Sequence, residues 1–159
     1  MTEGGNSMIE EATLTTTVAA SIDECFAAAV DVVGYPEWAA DIKSAEIVEI
    51  DDSGYPRLVT FRAAAMGRST TYTLRYNFSE APEGISWELD EGDLMSCLDG
   101  YYEFAATDGA GTEVTYHLSV GLRLPLPGFV KRRAEGRIIH TALDEFQTHV
   151  ETVGGSGDE

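Results

Sequence analysis

Apolar and polar positions alternate with a period of two along most of this chain, and one long stretch near its C-terminal end switches to spacings of three and four. From Leu126 to Val150 the apolar residues Val130, Ala134, Ile138, Ile139, Ala142, Leu143, Phe146 and Val150 fall on one side of a helix. Pro127 stands where a helix favours proline, because a first-turn residue has no intrahelical use for its N–H. At 1.5 Å per residue such a helix is roughly 35 Å long, longer than a typical strand, so a broad, curved surface must cover its apolar face.

The period-two segments supply that surface. A Thr-rich strand is predicted from Glu10 to Val18, with Ala12, Leu14, Thr16 and Val18 on one side. Ser21-Ile-Asp-Glu24 reads as a capping box that opens a short helix over Ile22 to Val30, which Gly34 ends. Pro36 then starts a second short turn carrying Trp38. Six further strands are predicted, at about Ser44 to Ile50, Arg57 to Ala65, Ser69 to Phe78, Ile85 to Asp90, Ser96 to Ala105 and Glu113 to Arg123. Turn residues separate them at Asp52-Ser-Gly54, Met66-Gly67, Pro82-Glu-Gly84, Glu91-Gly92-Asp93 and Asp108-Gly-Ala-Gly111. Connections this short admit no crossover helix, so the strands form an antiparallel meander.

Parity then separates the faces. Val59, Phe61, Ala63, Tyr72, Leu74, Tyr76, Phe78, Ile85, Trp87, Leu89, Tyr102, Phe104, Val114, Tyr116, Leu118 and Val120 share the covered side, and Thr, Arg, Asn, Ser and Glu residues take the other. The fold class that follows is α+β: a curved seven-stranded antiparallel sheet wrapped round a long C-terminal helix, with two short helices after the first strand. A curled sheet and one helix leave a gap that is hard to fill, so an internal cavity is expected. Residues 9–152 read as a single domain between flexible tails at 1–8 and 153–159.

Charge narrows the partners. The 159 residues carry a formal net charge of −18, which disfavours binding to phosphate backbones, so no nucleic-acid partner is expected. No leader-like segment and no apolar run of membrane-spanning length occurs, and a cytoplasmic protein without a transmembrane segment is the expectation. In that compartment Cys25 and Cys97 read as buried reduced thiols.

The order of elements resembles the helix-grip fold of the START/SRPBCC superfamily. Val33-Gly-Tyr-Pro-Glu-Trp38, Tyr72-Thr-Leu-Arg-Tyr76, Ile85-Ser-Trp-Glu-Leu89 and Leu124-Pro-Leu-Pro-Gly-Phe-Val-Lys-Arg-Arg133 are similar to the bacterial polyketide cyclase/dehydrase and lipid-transport branch, over Glu10 to Val150. The resemblance implies the fold but no single reaction, because the branch mixes aromatase/cyclases with quinone- and lipid-binding proteins. In its cyclases, similar tyrosines and an arginine orient a polyketide and polarise its carbonyls. Arg123 and Arg137 are the nearest candidates here for such an arginine.

Candidate chemistry is sparse. His140 and His149 stand nine residues apart on the last helix and so on opposite faces, and His117 has solvent parity. With no His-Glu-x-x-His, Cys-x-x-Cys or phosphate-loop motif, neither a metal nor another cofactor is expected. The covered aromatics read either as core or as the lining of a ligand pocket. On the second reading the cavity residues are Trp38, Phe61, Ala63, Tyr72, Leu74, Tyr76, Trp87, Tyr102, Tyr116, Ile139 and Leu143. Trp38 reads equally as core. Arg123, Lys131, Arg132, Arg133 and Arg137 gather half of the chain's ten basic residues, three of them in helical turns where the dipole disfavours cations. They form either a solvated face, with Lys131 paired to Glu135, or a basic collar at the cavity entrance for an acidic headgroup or a carrier protein.

Three functions follow. The favoured one is binding of a small hydrophobic molecule such as a lipid, quinone or polyketide, as a carrier or sequestering protein. The others are a polyketide aromatase/cyclase or dehydratase, with Tyr and Arg giving general acid–base help, and a ligand-free protein-interaction module.

Overall fold

The computed structural model describes residues 9–65, 67–109 and 111–157. Residues 1–8, expected to be a flexible tail, lie outside these, as does the final pair, 158–159. Strand β1 (Ile9–Val18) leads into helix α1 (Ile22–Val30) and a 3-10 turn (Val32–Glu37). The meander follows as β2 (Ile42–Ile50), β3 (Pro56–Ala65), β4 (Arg68–Asn77), β5 (Gly84–Gly92), β6 (Met95–Ala106) and β7 (Thr112–Leu122). Helix α2 (Gly128–Gly157) closes the chain. The expected strands and the long C-terminal helix are present; of the two short helices expected after β1, the first is α-helical and the second is the 3-10 turn.

All pairings are antiparallel, in the order β1-β7-β6-β5-β4-β3-β2, so the N-terminal strand joins the last strand of the meander. Register shifts break the β2–β3, β4–β5 and β6–β7 ladders. An extra residue at such a point bends its strand and sharpens the twist, which lets a seven-stranded sheet curl. Residues of the predicted covered parity from Val59 to Val120 are buried or half-buried. Thr73, on the outer face, is also buried and shares a hydroxyl contact of 2.8 Å with Thr60 on the neighbouring strand. On the same face Arg75 Nη2 donates to Asp90 Oδ1 at 2.7 Å.

The capping box forms as predicted: Ser21 Oγ accepts from the Glu24 N–H, and Glu24 Oε1 accepts from the Ser21 N–H. Helix α1 covers the expected residues, but its C-cap is Asp31, and Gly34 lies inside the 3-10 turn instead of ending the helix. A Cβ at Gly34 would stand 2.5 Å from the Asp31 carboxylate, so the glycine makes room for that side chain. Cys25 is buried and its thiol is pushed up to about 11 by that burial; Cys97 is only half-buried, and both are free. Among the described residues no helix is long and apolar enough to cross a membrane.

Helix α2 extends past Val150 into the stretch expected to be a tail. It lies over β1, β7 and α1 more than across the middle of the sheet. Ile139, Leu143, Phe146 and Val150, spaced by four, three and four, form its buried stripe. Polar side chains fix the helix on both flanks. Gln147 Nε2 donates to the Thr17 carbonyl at 3.2 Å and Glu151 Oε2 accepts from the Ala19 N–H at 2.9 Å, while Glu145 Oε2 accepts from the Ala40 N–H at 3.2 Å.

Near its start α2 buries Glu135 completely. One carboxylate oxygen accepts from the Leu122 N–H at 3.0 Å, and the other has no partner among the described residues. Lys131, one turn earlier, is itself buried, but the two make no ion pair within 4.0 Å. Burial raises the pKa of Glu135, and the Leu122 N–H and the Lys131 charge only partly oppose it. A carboxyl with a raised folded-state pKa favours folding while protonated, and that contribution is lost as pH rises through the folded value. Glu135→Gln is therefore expected to raise the melting temperature at neutral pH and to lose this advantage at acidic pH. Thermal melts of both proteins across that range measure it.

Candidate functional site

Between the concave face of the sheet and α2 lies a cavity of about 170 Å³. Its floor comes from alternate residues of successive strands. Phe61 and Ala63 on β3 stand beside Tyr72, Leu74 and Tyr76 on β4, followed by Trp87 on β5, Leu98 and Tyr102 on β6, and Tyr116 and Leu118 on β7. The ladder places Phe61 opposite Tyr72, Tyr76 opposite Trp87 and Tyr102 opposite Tyr116, so large side chains meet across each strand pair.

The rings form two groups, Tyr35 with Phe61 and Tyr72, and a connected layer of Tyr76, Trp87, Tyr102 and Tyr116. Ring centroids are 5.9 Å apart for Tyr35 and Phe61, 5.5 Å for Phe61 and Tyr72, 6.0 Å for Tyr76 and Trp87, 5.6 Å for Trp87 and Tyr102, and 4.9 Å for Tyr102 and Tyr116. Gly100 makes room for it. A Cβ there would stand 2.3 Å from the His117 carbonyl oxygen and 2.8 Å from the Trp87 ring, so only glycine lets the indole lie against β6.

Most of the floor is buried, and the half-buried or exposed lining residues mark the mouth. They are Tyr35, Trp38, Ala39, Asp41, Ile42 and Ala64 on one side and Ile138, Thr141, Ala142 and Glu145 of α2 on the other, while Trp87 of the floor is also half-buried. Trp38 is held between rings, stacked on His149 at 4.8 Å and edge-on to Tyr35 at 5.1 Å. The pKa of His149 is lowered by burial, which favours its neutral form. His140 faces solvent on the other side of α2.

Burial pushes the tyrosine hydroxyls Tyr35, Tyr72, Tyr76, Tyr102 and Tyr116 well above their ordinary range, and at Tyr72 the Asp41 charge adds to the effect. They are therefore neutral hydrogen-bond donors at physiological pH. Tyr35 donates to the Ala29 carbonyl. The hydroxyls of Tyr72, Tyr102 and Tyr116 make no hydrogen bond among the described residues and are not sealed from the cavity. An acceptor entering the cavity meets donors that have no competing partner.

The structure brings nine of the eleven predicted cavity residues together: Trp38, Phe61, Ala63, Tyr72, Leu74, Tyr76, Trp87, Tyr102 and Tyr116. Ile139 and Leu143 do not line the cavity; they pack in the sealed core, and the helix turns Ile138, Thr141, Ala142 and Glu145 to the opening instead. An apolar stripe shows that a helix face is covered, not whether a neighbour or a void lies opposite it. None of Arg123, Lys131, Arg132, Arg133 and Arg137 is among the lining residues. Arg123 Nη1 donates to the Gly92 carbonyl at 2.9 Å, Lys131 is buried, and the other three face solvent. Sequence reasoning missed Tyr35, Asp41 and Glu145. Tyr35 sits inside the Val33–Trp38 motif, but nothing local marks the two carboxylates.

A curved antiparallel sheet gripping one long helix over an aromatic cavity defines a START-type helix-grip protein. The chain belongs to the polyketide cyclase / dehydrase and lipid transport family, whose model matches residues 10–151. Similar solved structures share this fold. A START superfamily protein from Mycobacterium smegmatis superposes with a TM-score of 0.81 at 21% identity, covering 90% of this chain and 98% of that one. The Zhui aromatase/cyclase from Streptomyces sp. R1128 gives 0.76 at 18% identity, covering 90% and 94%. A Thermus thermophilus protein gives 0.77 at 19% identity, covering 94% and 99%. No curated protein matches the chain.

Proposed function

We propose that this protein binds a small hydrophobic molecule in the cavity between the sheet and α2 and acts as its carrier or sequestering protein. The observation that supports this reading is an aromatic-walled cavity into which three buried tyrosines offer unpaired hydroxyls. Apolar walls with a few placed polar groups are the chemistry of small-molecule pockets. The volume of about 170 Å³ is below the roughly 300–1,000 Å³ of sites for drug-sized ligands, so a ligand of one or two rings or a short chain fits without wall movement.

A second reading, as an aromatase/cyclase or dehydratase, has support of its own. Neutral tyrosine donors suit the polarisation of a ketone oxygen, and the Zhui aromatase/cyclase has the same fold. Beyond the tyrosines, the ionisable lining groups are the carboxylates of Asp41 and Glu145, at the mouth and not at the floor. That placement favours binding over proton transfer deep in the cavity.

Organic extraction of the purified protein followed by mass spectrometry tests the proposal. A co-purified hydrophobic compound, or binding of added naphthylmethanol, is the expected result. Ring closure with loss of water from a synthetic poly-ketone mimic would move the assignment to the cyclase. No bound compound and no naphthylmethanol binding would leave a ligand-free interaction module.

A further inference from the structure

The mouth of the cavity carries a charge opposite to the one its sequence suggests. Asp41, exposed beside the 3-10 turn, and Glu145, on the facing side of α2, both line the opening, and among the described residues no lysine, arginine or histidine does. Neither carboxylate takes part in an ion pair among the described residues. Lys43, the nearest cation along the chain, donates to the Ala40 carbonyl at 2.9 Å. Just outside, Trp38 and Glu145 also border a shallow groove shared with Asp144, Thr148, His149 and Thr152, so the approach to the mouth is acidic as well. Burial favours the neutral form of His149 and leaves little positive charge there to offset it.

The interior independently calls for an occupant. Tyr72, Tyr102 and Tyr116 are each more than nine-tenths buried, line the cavity, and leave their hydroxyls unpaired. None of the three hydroxyls is a sealed, unpaired atom, so each reaches the cavity space, where a ligand or the water it displaces can accept from it. The body of the ligand is therefore fixed by the floor, and its charge by the rim.

We propose that this cavity selects hydrophobic molecules whose polar end is a cationic amine, seated at the mouth between Asp41 and Glu145, and discriminates against hydrophobic carboxylates. This rests on the ligand-binding reading above and deepens it. An ammonium at the rim remains partly hydrated and gains attraction from two carboxylates, whereas a carboxylate there meets two like charges with no cation among the described lining residues. Interactions at such a half-open site are weakened by salt, so the preference is ionic-strength dependent.

Equilibrium dialysis with naphthylmethanol, naphthylmethylamine and naphthoate separates body from charge, because the three share one aromatic body and differ in the charge of the polar end. The expected order is amine, then alcohol, then carboxylate, with amine and carboxylate separated by about tenfold or more at low salt and by much less in molar salt. The pair Asp41→Asn and Glu145→Gln should remove most of the amine preference; glutamine keeps an acceptor for the Ala40 N–H. Unchanged naphthylmethanol binding shows that the variant folds. Glu103→Gln with Glu113→Gln removes the same net charge from exposed positions away from the mouth and should leave the preference intact.

Naphthoate binding as tightly as the amine overturns the inference, while naphthylmethanol binding still upholds the cavity reading. An equal loss of preference in the Glu103/Glu113 variant also overturns it, since the effect would then belong to the overall charge of −18. Binding of none of the three defeats both readings.

Discussion

Truncating Phe146 to alanine is expected to destabilise the protein by about 3–5 kcal/mol, the range for removing a fully buried phenyl ring. Phe146 is 0% exposed, and its ring lies 4.7 Å from Tyr102 and 6.2 Å from both Phe104 and Trp38. It joins the helix to β6 and to the segment at the mouth, so three elements lose contacts at once. The packed side of α2 has little freedom to collapse, since Gln147 and Glu151 tie it to the end of β1 and the segment that follows. Urea denaturation followed by circular dichroism measures the loss. A change below about 1 kcal/mol would mean that the ring is not seated on the sheet.

Ala63→Phe is expected to have the reverse profile, a loss of ligand binding of about tenfold or more with stability changed by about 1 kcal/mol or less. Ala63 lines the cavity from β3, next to Phe61, and its side chain is 7% exposed. In a filled core an added phenyl ring forces off-rotamer neighbours and typically costs about 1–3 kcal/mol. Here the ring enters a space of about 170 Å³ that a ligand would otherwise use. Paired urea melts and naphthylmethanol titrations decide the matter. A loss of several kcal/mol with binding intact would show a solid core under α2 and place the function elsewhere on the molecule.

The two substitutions differ because a covered face is not the same as a packed one. Period-two alternation assigns Phe61, Tyr72, Trp87 and Tyr116 to one side of their strands, since successive side chains on a pleated backbone point to opposite faces. Short, turn-rich connections make those strands antiparallel neighbours, and a sustained spacing of three and four makes residues 126–150 a helix. These are local rules, and the sequence obeys them at nearly every element. The capping box at Ser21 and Glu24 and the floor of the cavity were legible for that reason.

What the local rules leave open is the rotation of the long helix and the company its side chains keep. Ile138 and Ile139 are adjacent and equally apolar, yet one lines the opening and the other is sealed in the core, because neighbours on a helix, about 100° apart, face different surroundings. Gln147 and Glu151 on one flank and Glu145 on the other hold that rotation through contacts to residues more than a hundred positions away in the chain. The charge at the mouth has the same origin. Arg132, Arg133 and Arg137 form the conspicuous basic cluster in the sequence, but the cavity opens between the turn residues 38–42 and the middle of α2, where Asp41 and Glu145 both line the opening. Sequence patterning determined the sheet, the helix and the aromatic floor; only tertiary packing decided which charges stand at the entrance, because that depends on where two distant segments come together in space.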